Sequence, residues 1–566
     1  MELLRLTRGL GGLRLAIADG IDRIERIERF DRIGASGGVK YLGFSSLDAY
    51  GRERLGRSGR WLGDARTLNR RLAMLPLIRQ AYLSGRLSTS KVKLVARALT
   101  RNGDTDDASQ RTAIEHASRH SVRELRARLG EAAEPIQRPR VQITRTVDRI
   151  DALGFEGAIR LAQALGAISR TDAVEGLLAE ALTTLLATHT DIGPTLAAVL
   201  SAGPTWDPPL TETVPLHHED PADPAEEDPA DPVDPIAVPL IPAEVTSIFD
   251  LDLAIRDLAA ELTRRDLRLG ELALEAEACG LAYHLGYDSA DTCYREWLGM
   301  APSSMAARIA LARRCQRLTH VRAAVESGRI GFEAATLIAR IASPATEGAW
   351  LALADTLTVK LLREHVDAAE LHARLDDRPL VGLAPPTPDD LEDSHDLERH
   401  VYAMAFGIES ADPCPMSVPL DPDPDPGPDL GTTTLRLSLP EDLATIWREL
   451  ESAHAERLPD HTFVEFLVAN ALTAWRSPTS LPAYGHIYLR DRFRCQSPTC
   501  SRRNCTPHHI IFRSHGGTEA PSNLITLCEV CHLELVHGHH LTVSGQAPGN
   551  LHWQTRSRSA LQSRPV

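Results

Sequence analysis

An internal repeat constrains the fold of this chain more than any other feature of its sequence. Residues 43–97 align with residues 286–340 without a gap, at a constant offset of 243 positions, and 19 of the 55 aligned positions are identical. Unrelated sequences of average composition would share about three or four. The repeat therefore indicates a duplicated structural unit, and we expect both copies to have the same fold.

Each copy has the periodicity of amphipathic helices. In the first copy, Leu72, Ile78 and Tyr82 belong to an apolar series at steps of three and four residues, which predicts a helix with one buried face. Gly85 suits the left-handed end of this helix, and Ser88 or a neighbouring serine can cap the next one. Basic residues on that next helix permit DNA binding in the major groove. The alternative is a helical bundle whose surface arginines face solvent or mediate self-association.

A segment of alternating apolar and polar residues follows each copy, at residues 141–147 and 433–439. Alternation with a period of two predicts a strand. Helical patterns come next, at residues 157–186 and 441–475. We therefore expect a short strand-helix appendage on each copy of the helical module.

Two stretches rich in Asp and Pro interrupt these patterns and predict linkers, because proline removes hydrogen-bond donors and like charges repel. The sequence thus predicts a mainly α, multidomain protein. Its expected parts are a first helical module with its appendage (1–202), an acidic linker (203–245), a second helical module (246–383), a second linker (384–431), the second appendage (432–483), a small metal-braced domain (484–555) and a tail (556–566).

The distribution of charge leaves room for a nucleic-acid partner despite a formal net charge of −15. Ten acidic residues and no Lys or Arg lie between residues 207 and 234, whereas residues 485–566 hold nine Arg, four acids and nine of the 22 histidines. Charge acts where it is placed, so the C-terminal part can approach phosphates. The chain has neither an apolar run long enough for a membrane span nor a secretory signal, which predicts a cytoplasmic protein.

Paired cysteines near the C-terminus predict a metal site. Cys495 and Cys500 are separated by four residues, and Cys528 and Cys531 by two. Two such pairs can close a tetrahedral thiolate site around a structural Zn²⁺, which would also hold a small domain together. The alternative is a group of four free thiols. Cys505 has no partner in this pattern.

The residues around the cysteines form an ordered set: His508-His509-Ile510, Ser514-His515-Gly516-Gly517, Asn523-Leu524 and Cys528-x-x-Cys531-His532. Over residues 484–553 this set resembles the HNH, or ββα-metal, endonuclease family. The repeat, through its motifs at 43–50 and 84–88, resembles a domain of unknown function found upstream of HNH modules. The resemblance implies a β-hairpin closed by a helix, with a zinc brace.

The resemblance also implies roles for individual residues. His509 would be the general base that takes a proton from water, while His508 and His532 would hold Mg²⁺ or another divalent cation. Asn523 would tether the loop and orient the base. A structural or second zinc site at the histidine pair is the alternative interpretation, because imidazole is a good zinc ligand.

Two further residues are candidates for the site. His537 could replace or join His532 as a metal ligand, and Arg513 could contact phosphate. Together these features predict a metal-dependent HNH endonuclease that hydrolyses phosphodiester bonds in DNA. The alternative from another class is a non-catalytic, zinc-stabilised nucleic-acid-binding or regulatory protein.

Overall fold

A computed structural model describes residues 2–27, 38–130, 140–188, 241–406, 431–458, 461–475, 484–555 and 560–561. Most of the first predicted linker and residues 407–430 of the second lie outside these ranges. Helices dominate the described part, which confirms the mainly α fold class. Within it, none of the helices combines the length and the apolar character that crossing a membrane requires.

The first copy of the repeat begins with a long helix and ends with a strand and a helical pair. Its elements in the described residues are α1 (Glu2–Ile27), α2 (Gly38–Tyr41), α3 (Leu47–Leu55), α4 (Gly59–Ala73), α5 (Pro76–Leu83), α6 (Thr89–Asn102), α7 (Asp107–Arg119), α8 (Val122–Arg128), β1 (Arg140–Asp148), α9 (Arg149–Leu165) and α10 (Arg170–Thr188).

The second copy follows the first element by element, with one added helix. Its elements are α11 (Ile248–Ala278), α12 (Leu281–His284), α13 (Ala290–Glu296), α14 (Pro302–Cys315), α15 (Thr319–Glu326), α16 (Phe332–Ile341), α17 (Glu347–Thr356), α18 (Val359–Leu375), the added α19 (Pro388–Phe406), β2 (Thr432–Pro440), α20 (Glu441–Arg457) and α21 (Phe463–Ala474).

The apolar series from Leu72 to Tyr82 covers two helices instead of the one that its periodicity predicts. Pro76 occupies the first turn of α5, so the chain ends α4 and starts again there. Proline lacks the N–H that a continuous helix would need, but it fits a first turn. The turn after α5 contains Gly85 at φ +72°, and Ser88 caps α6 through its side chain.

The interpretation of residues 384–431 as a linker was wrong for the part that forms α19. Pro388 begins the helix and Asp390 lies in its first turn, where a negative charge favours the helix dipole. Leu397 and Val401 are buried in the same apolar cluster as β1 and β2. Part of the proline- and acid-rich stretch that suggested a linker is therefore the beginning of a packed helix.

Strands β1 and β2 pair with each other and join the two copies. They run antiparallel, with Arg140 opposite Pro440, Thr144 opposite Arg436 and Asp148 opposite Thr432. Antiparallel pairing of equivalent strands is the arrangement that a two-fold axis produces. Helices α9, α10, α20 and α21 pack around this ribbon in one apolar cluster, so the copies share a core.

A second pair of contacts is reciprocal between the two copies. The Glu53 carboxylate accepts hydrogen bonds from the backbone N–H groups of Val359, at 2.6 Å, and Lys360, at 3.0 Å, at the start of α18. Its aligned residue in the second copy, Glu296, accepts from the N–H of Val122 at the start of α8. Each copy thus caps a helix of the other, as the two halves of a dimer would.

The C-terminal domain contains a hairpin, a helix and a small sheet. After α22 (Gly485–Arg490) come β3 (Cys505–His509) and β4 (Leu524–Cys528), which pair antiparallel, and then a helix of π type, α23 (Val530–Val536). The remaining strands are β5 (Leu541–Gln546), β6 (Asn550–Thr555) and β7 (Ala560–Leu561), paired in that order. The sequence predicted the hairpin and helix but missed the final sheet.

Candidate functional site

Four cysteines form a buried cluster. Cys495 and Cys500 lie in the segment after α22, Cys528 ends β4, and Cys531 lies in α23; each is at most 1% exposed. Their four sulfur atoms lie within 4.8 Å of one another, and the sulfurs of Cys500 and Cys528 are 3.7 Å apart. Thiolates around a tetrahedral Zn²⁺ stand about 3.8 Å apart. The cluster therefore fits the zinc site that the cysteine spacing predicts.

Cys505 is buried but does not belong to this four-sulfur group. It lies opposite Cys528 in the hairpin, and its Sγ donates to the carbonyl oxygen of Arg502 at 3.5 Å. Cys505, the cysteine without a partner in the sequence pattern, thus lies on the hairpin opposite a member of the four-cysteine cluster.

Three histidines form a second group beside the hairpin. His508 lies on β3, His532 on α23 and His537 directly after α23, and one nitrogen of each ring lies within 4.8 Å of the others. The His508 side chain is nearly inaccessible, and its Nε2 has no hydrogen-bond partner among the residues that the structure describes. An unpaired buried polar atom costs free energy, so a ligand for it is expected. The donor set fits a metal ion.

The surroundings favour the neutral form of His508 and fix the orientation of its two neighbours. Burial lowers the pKa of His508 from 6.5 to about 3, and repulsion from the other two rings adds to the shift. Thr506 Oγ1 lies 2.9 Å from His532 Nδ1, which leaves Nε2 of that ring for a ligand. Phe512 stacks on His537 with ring centroids 5.0 Å apart. Neutral rings with lone pairs facing one point are what a metal requires.

His509 points away from this group, because adjacent residues of a strand face opposite sides. Its Nε2 lies 3.2 Å from Glu519 Oε1. Tyr484 donates to the other oxygen of Glu519 at 2.8 Å, and Arg513 forms an ion pair with the same carboxylate. The hydrogen bond from Tyr484, with smaller effects of Arg513 and His509, lowers the pKa of Glu519.

Sequence reasoning missed Glu519. It is the only carboxylate in residues 492–528, and that isolation between the two histidine motifs is the signal that could have found it. A carboxylate beside a general base is a recurring arrangement, since it fixes the tautomer and the orientation of the ring. Glu519 therefore joins the candidate site next to His509.

Asn523 holds the loop between the two strands of the hairpin. Its Oδ1 accepts from Ile511 N at 2.8 Å, and its Nδ2 donates to Ile511 O at 3.2 Å and to Thr518 O at 2.8 Å. The backbone of Gly517 lies so close to that of Ile511 that a Cβ on residue 517 would be 1.7 Å from Ile511 O. All three bonds of the Asn523 amide go to loop backbone, so any effect on His509 passes through the chain around Ile511.

The comparison with known families concerns this region. Residues 494–537 match the model of the HNH endonuclease family. The match contains both the cysteine cluster and the three-histidine group. No curated protein and no solved structure matches the chain. The HNH segment, residues 494–537, therefore indicates a nuclease or nucleic-acid-binding function, and the resemblance of the repeats to an upstream domain remains a prediction.

Arginines before and within the HNH segment fasten it to the helical body. Arg492, which is 2% exposed, donates to Glu398 at 3.1 Å and to Glu364 at 2.9 Å. Arg494 and Arg503 also pair with Glu398. Burial opposes ionisation of Glu398, but the positive charges of Arg494, Arg160 and Arg503 outweigh it and lower its pKa. Three of the nine arginines that made the C-terminal part basic are thus structural.

Proposed function

We propose that the HNH segment hydrolyses phosphodiester bonds in DNA with the help of a divalent cation. The observation that carries this proposal is the buried, unpartnered Nε2 of His508, which faces the rings of His532 and His537. Among the described residues the buried His454 Nε2 also has no hydrogen-bond partner, but that ring packs against Phe463 and Phe466. The His508 ring instead meets two further imidazoles, which together can hold an ion. The proposal adds His537 to the two metal ligands inferred from the sequence.

The donor set narrows the choice of metal. Mg²⁺ prefers oxygen ligands and keeps several waters, whereas imidazole nitrogens favour Zn²⁺, Mn²⁺, Co²⁺ or Ni²⁺. Three imidazoles therefore favour a transition-metal ion at His508, His532 and His537. When bound, such a cation would neutralise the charge that develops on the scissile phosphate.

His509 is the proposed general base. His509 Nε2 lies 3.2 Å from Glu519 Oε1 and 3.3 Å from Nε of Arg513, and it can donate to the first or accept from the second. We propose that Nε2–H donates to Glu519, because Arg513 already has its ion pair with that carboxylate. The lone pair of the ring is then on Nδ1, where it can take a proton from the attacking water. The carboxylate then pairs with the imidazolium that forms. Tyr484 and Arg513 hold Glu519 in place, so we assign Glu519 a positioning role.

Arg513 is the proposed phosphate contact of the segment. Its side chain is 65% exposed and lies beside His509. A guanidinium with several donors can bind Glu519 and a phosphate oxygen at once. The cysteine cluster, on this proposal, holds the hairpin and α23 together and takes no part in the reaction.

Plasmid cleavage by the full-length protein tests this function. We expect cutting with Mn²⁺, Co²⁺, Ni²⁺ or Zn²⁺ added, and a loss of about 10²- to 10⁴-fold in the His509→Ala variant. His552→Ala is the matched control, because His552 is an exposed histidine of β6 and should leave the rate unchanged. If His509→Ala cuts the plasmid as fast as His552→Ala, His509 is not the general base. DNA binding without cleavage under any of these ions would favour the binding-protein alternative.

A further inference from the structure

A backbone hydrogen bond across five residues joins two members of the three-histidine group. The N–H of His537, just after α23, donates to the carbonyl oxygen of His532 at 3.1 Å. Five residues of an α-helix make about 1.4 turns and would point the two rings roughly 140° apart. The π turn of α23 instead leaves their ring centroids 5.1 Å apart. The register of α23 therefore decides whether His532 and His537 can bind one ion.

The chain turns tightly as it leaves α23. A second bond across five residues runs from the N–H of His540 to the carbonyl oxygen of Leu535 at 2.8 Å. A Cβ on residue 538 would lie 2.0 Å from Glu534 O, so this turn requires Gly538. π turns are rare in proteins, where α turns are the common form. Contacts from outside α23 are therefore expected to stabilise its register.

Helix α2 of the first repeat copy supplies such a contact. The Nζ of Lys40 forms an ion pair with Oε2 of Glu534. The Lys40 side chain is 23% exposed and that of Glu534 34%, so solvent and salt screen this pair less than a surface pair. Glu534 lies between His532 and His537 in the chain. The pair thus fixes the part of α23 that separates the two proposed ligands.

The residues after Lys40 contact the turn that follows α23. The ring of Tyr41 lies 5.4 Å from the ring of His540, measured between centroids. Gly43 approaches the same residue, because a Cβ there would lie 3.5 Å from His540 O. Through α2 and the turn after it, the first copy contacts both the middle and the exit of the π segment.

The core of the first copy holds α2 in place. Val39 is 3% exposed and Leu42 4%, and both belong to the apolar cluster that includes α1 and α11. The backbone N–H of Val39 donates to the Glu25 carboxylate at 3.3 Å. A helix anchored at buried positions cannot move freely with α23, so Lys40 presents its charge from a fixed place.

The second copy provides an internal comparison. There α12 occupies the place of α2 at the offset of 243, and Tyr283 stands where the first copy has Lys40. Tyr283 is 72% exposed, and Leu285 is 43% exposed whereas its counterpart Leu42 is buried. The short helix forms without a lysine at this position. Lys40 is therefore not needed for the fold of the repeat, and its contact with α23 explains its presence.

We infer that Lys40 is a positioning residue of the proposed nuclease. Through its ion pair with Glu534 it holds α23 in the π register, and that register brings two of the three imidazoles to one ion. The inference rests on the proposed function, because it concerns how the metal ligands are placed. Residues that orient metal ligands from outside change metal affinity by about 10- to 100-fold when they are replaced. The first repeat copy is then part of the support of the metal site and not a separate module.

Calorimetric titration with Co²⁺ tests the inference in the full-length protein, prepared with one Zn²⁺ per chain. Zn²⁺ binds a given site more tightly than Co²⁺, so the zinc should stay in the cysteine cluster. We expect Lys40→Met to bind Co²⁺ about ten-fold or more weakly than the unmodified chain. Lys40→Arg keeps the charge and should bind Co²⁺ as the unmodified chain does. Before Co²⁺ is added, hydrogen exchange at residues 537–540 should be faster in Lys40→Met.

Tyr283→Met is the matched control, since it changes the aligned position of the second copy and should leave the Co²⁺ affinity unchanged. The inference is wrong if Lys40→Met binds Co²⁺ as tightly as the unmodified chain, or if Tyr283→Met loses as much affinity. It is also wrong if Lys40→Met loses its zinc as well, because Lys40 would then hold the whole domain. An unmodified chain that binds no Co²⁺ beyond its zinc would instead refute the proposed metal site, and this inference with it.

Discussion

Lys360 of the second repeat donates a hydrogen bond to the carbonyl oxygen of Cys495 in the cysteine cluster, at 3.0 Å. Its Nζ also donates to Ser497 O at 3.0 Å, and its backbone N–H donates to Glu53 of the first copy. Next to it, Thr358 donates to Pro498 O at 2.7 Å. The loop that carries two of the four cysteines is therefore held where the two copies meet, and the HNH segment is docked on both.

Replacing Lys360 should weaken this docking. In Lys360→Met the carbonyls of Cys495 and Ser497 lose their buried donor, and we expect the free energy of unfolding to fall by about 1–3 kcal/mol. Hydrogen exchange should increase at residues 495–500. Arg363→Met, on an exposed position of the same helix, is the control. Unchanged exchange at 495–500 in Lys360→Met would show that the contact does not hold the loop.

The cysteine cluster predicts a specific pattern of metal content. Cys528→Ala should lose one zinc per chain and unfold the C-terminal domain, because zinc binding and folding are coupled at such sites. Cys505→Ala should keep its zinc, since that sulfur lies outside the four-sulfur group. Metal analysis of the two purified variants, beside near-ultraviolet circular dichroism, distinguishes them. Equal zinc loss in both would mean that Cys505 is a ligand.

An ion pair between the copies predicts a loss of stability in acid. Glu156 of α9 binds Arg170 at 2.8 Å and Arg374 of the second copy at 3.2 Å. Burial acts to raise the pKa of Glu156, but the two arginines outweigh it and lower the pKa from 4.5 to about 2. Because the folded-state pKa is the lower one, this stabilisation is present above pH 4.5 and is lost as the pH falls towards 2.

Urea unfolding of Glu156→Gln between pH 2 and pH 7 measures this contribution. We expect a loss of about 3 kcal/mol at pH 7 and a smaller dependence of stability on pH below 4.5. Glu115→Gln removes one partner of an exposed ion pair with Arg119 on α7. It should change neither the stability at pH 7 nor its dependence on pH. A variant as stable as the unmodified chain at pH 7 would contradict the importance of this pair.

The positioning role of Glu519 predicts a selective loss of turnover. In Glu519→Gln we expect kcat for DNA cleavage to fall about ten-fold, with KM unchanged, because the carboxylate orients His509 without touching DNA. Glu529→Gln changes an exposed carboxylate at the start of α23 and should cleave normally. A change in KM alone would indicate that Glu519 acts on DNA binding instead.

The sequence by itself determined the features that depend on short-range pattern and spacing. The periodicity of apolar residues predicted most of the helices and the strands β1 and β2, and the 55-position repeat at an offset of 243 predicted their duplication. The spacing of Cys495, Cys500, Cys528 and Cys531 predicted their cluster, because a metal site needs defined donors at short separations along the chain. These properties are local, so a single sequence contains them.

Only the tertiary structure decided which distant groups meet. It brought β1 against β2, His537 to His508, and Glu519 to His509, and it placed Arg492 in a buried ion pair with Glu398. A charge or an imidazole has the same sequence signature whether it faces solvent, a partner or a metal. Its role follows from burial and from its neighbours, which are fixed by how the elements pack in three dimensions, whether they lie close together in the chain or far apart.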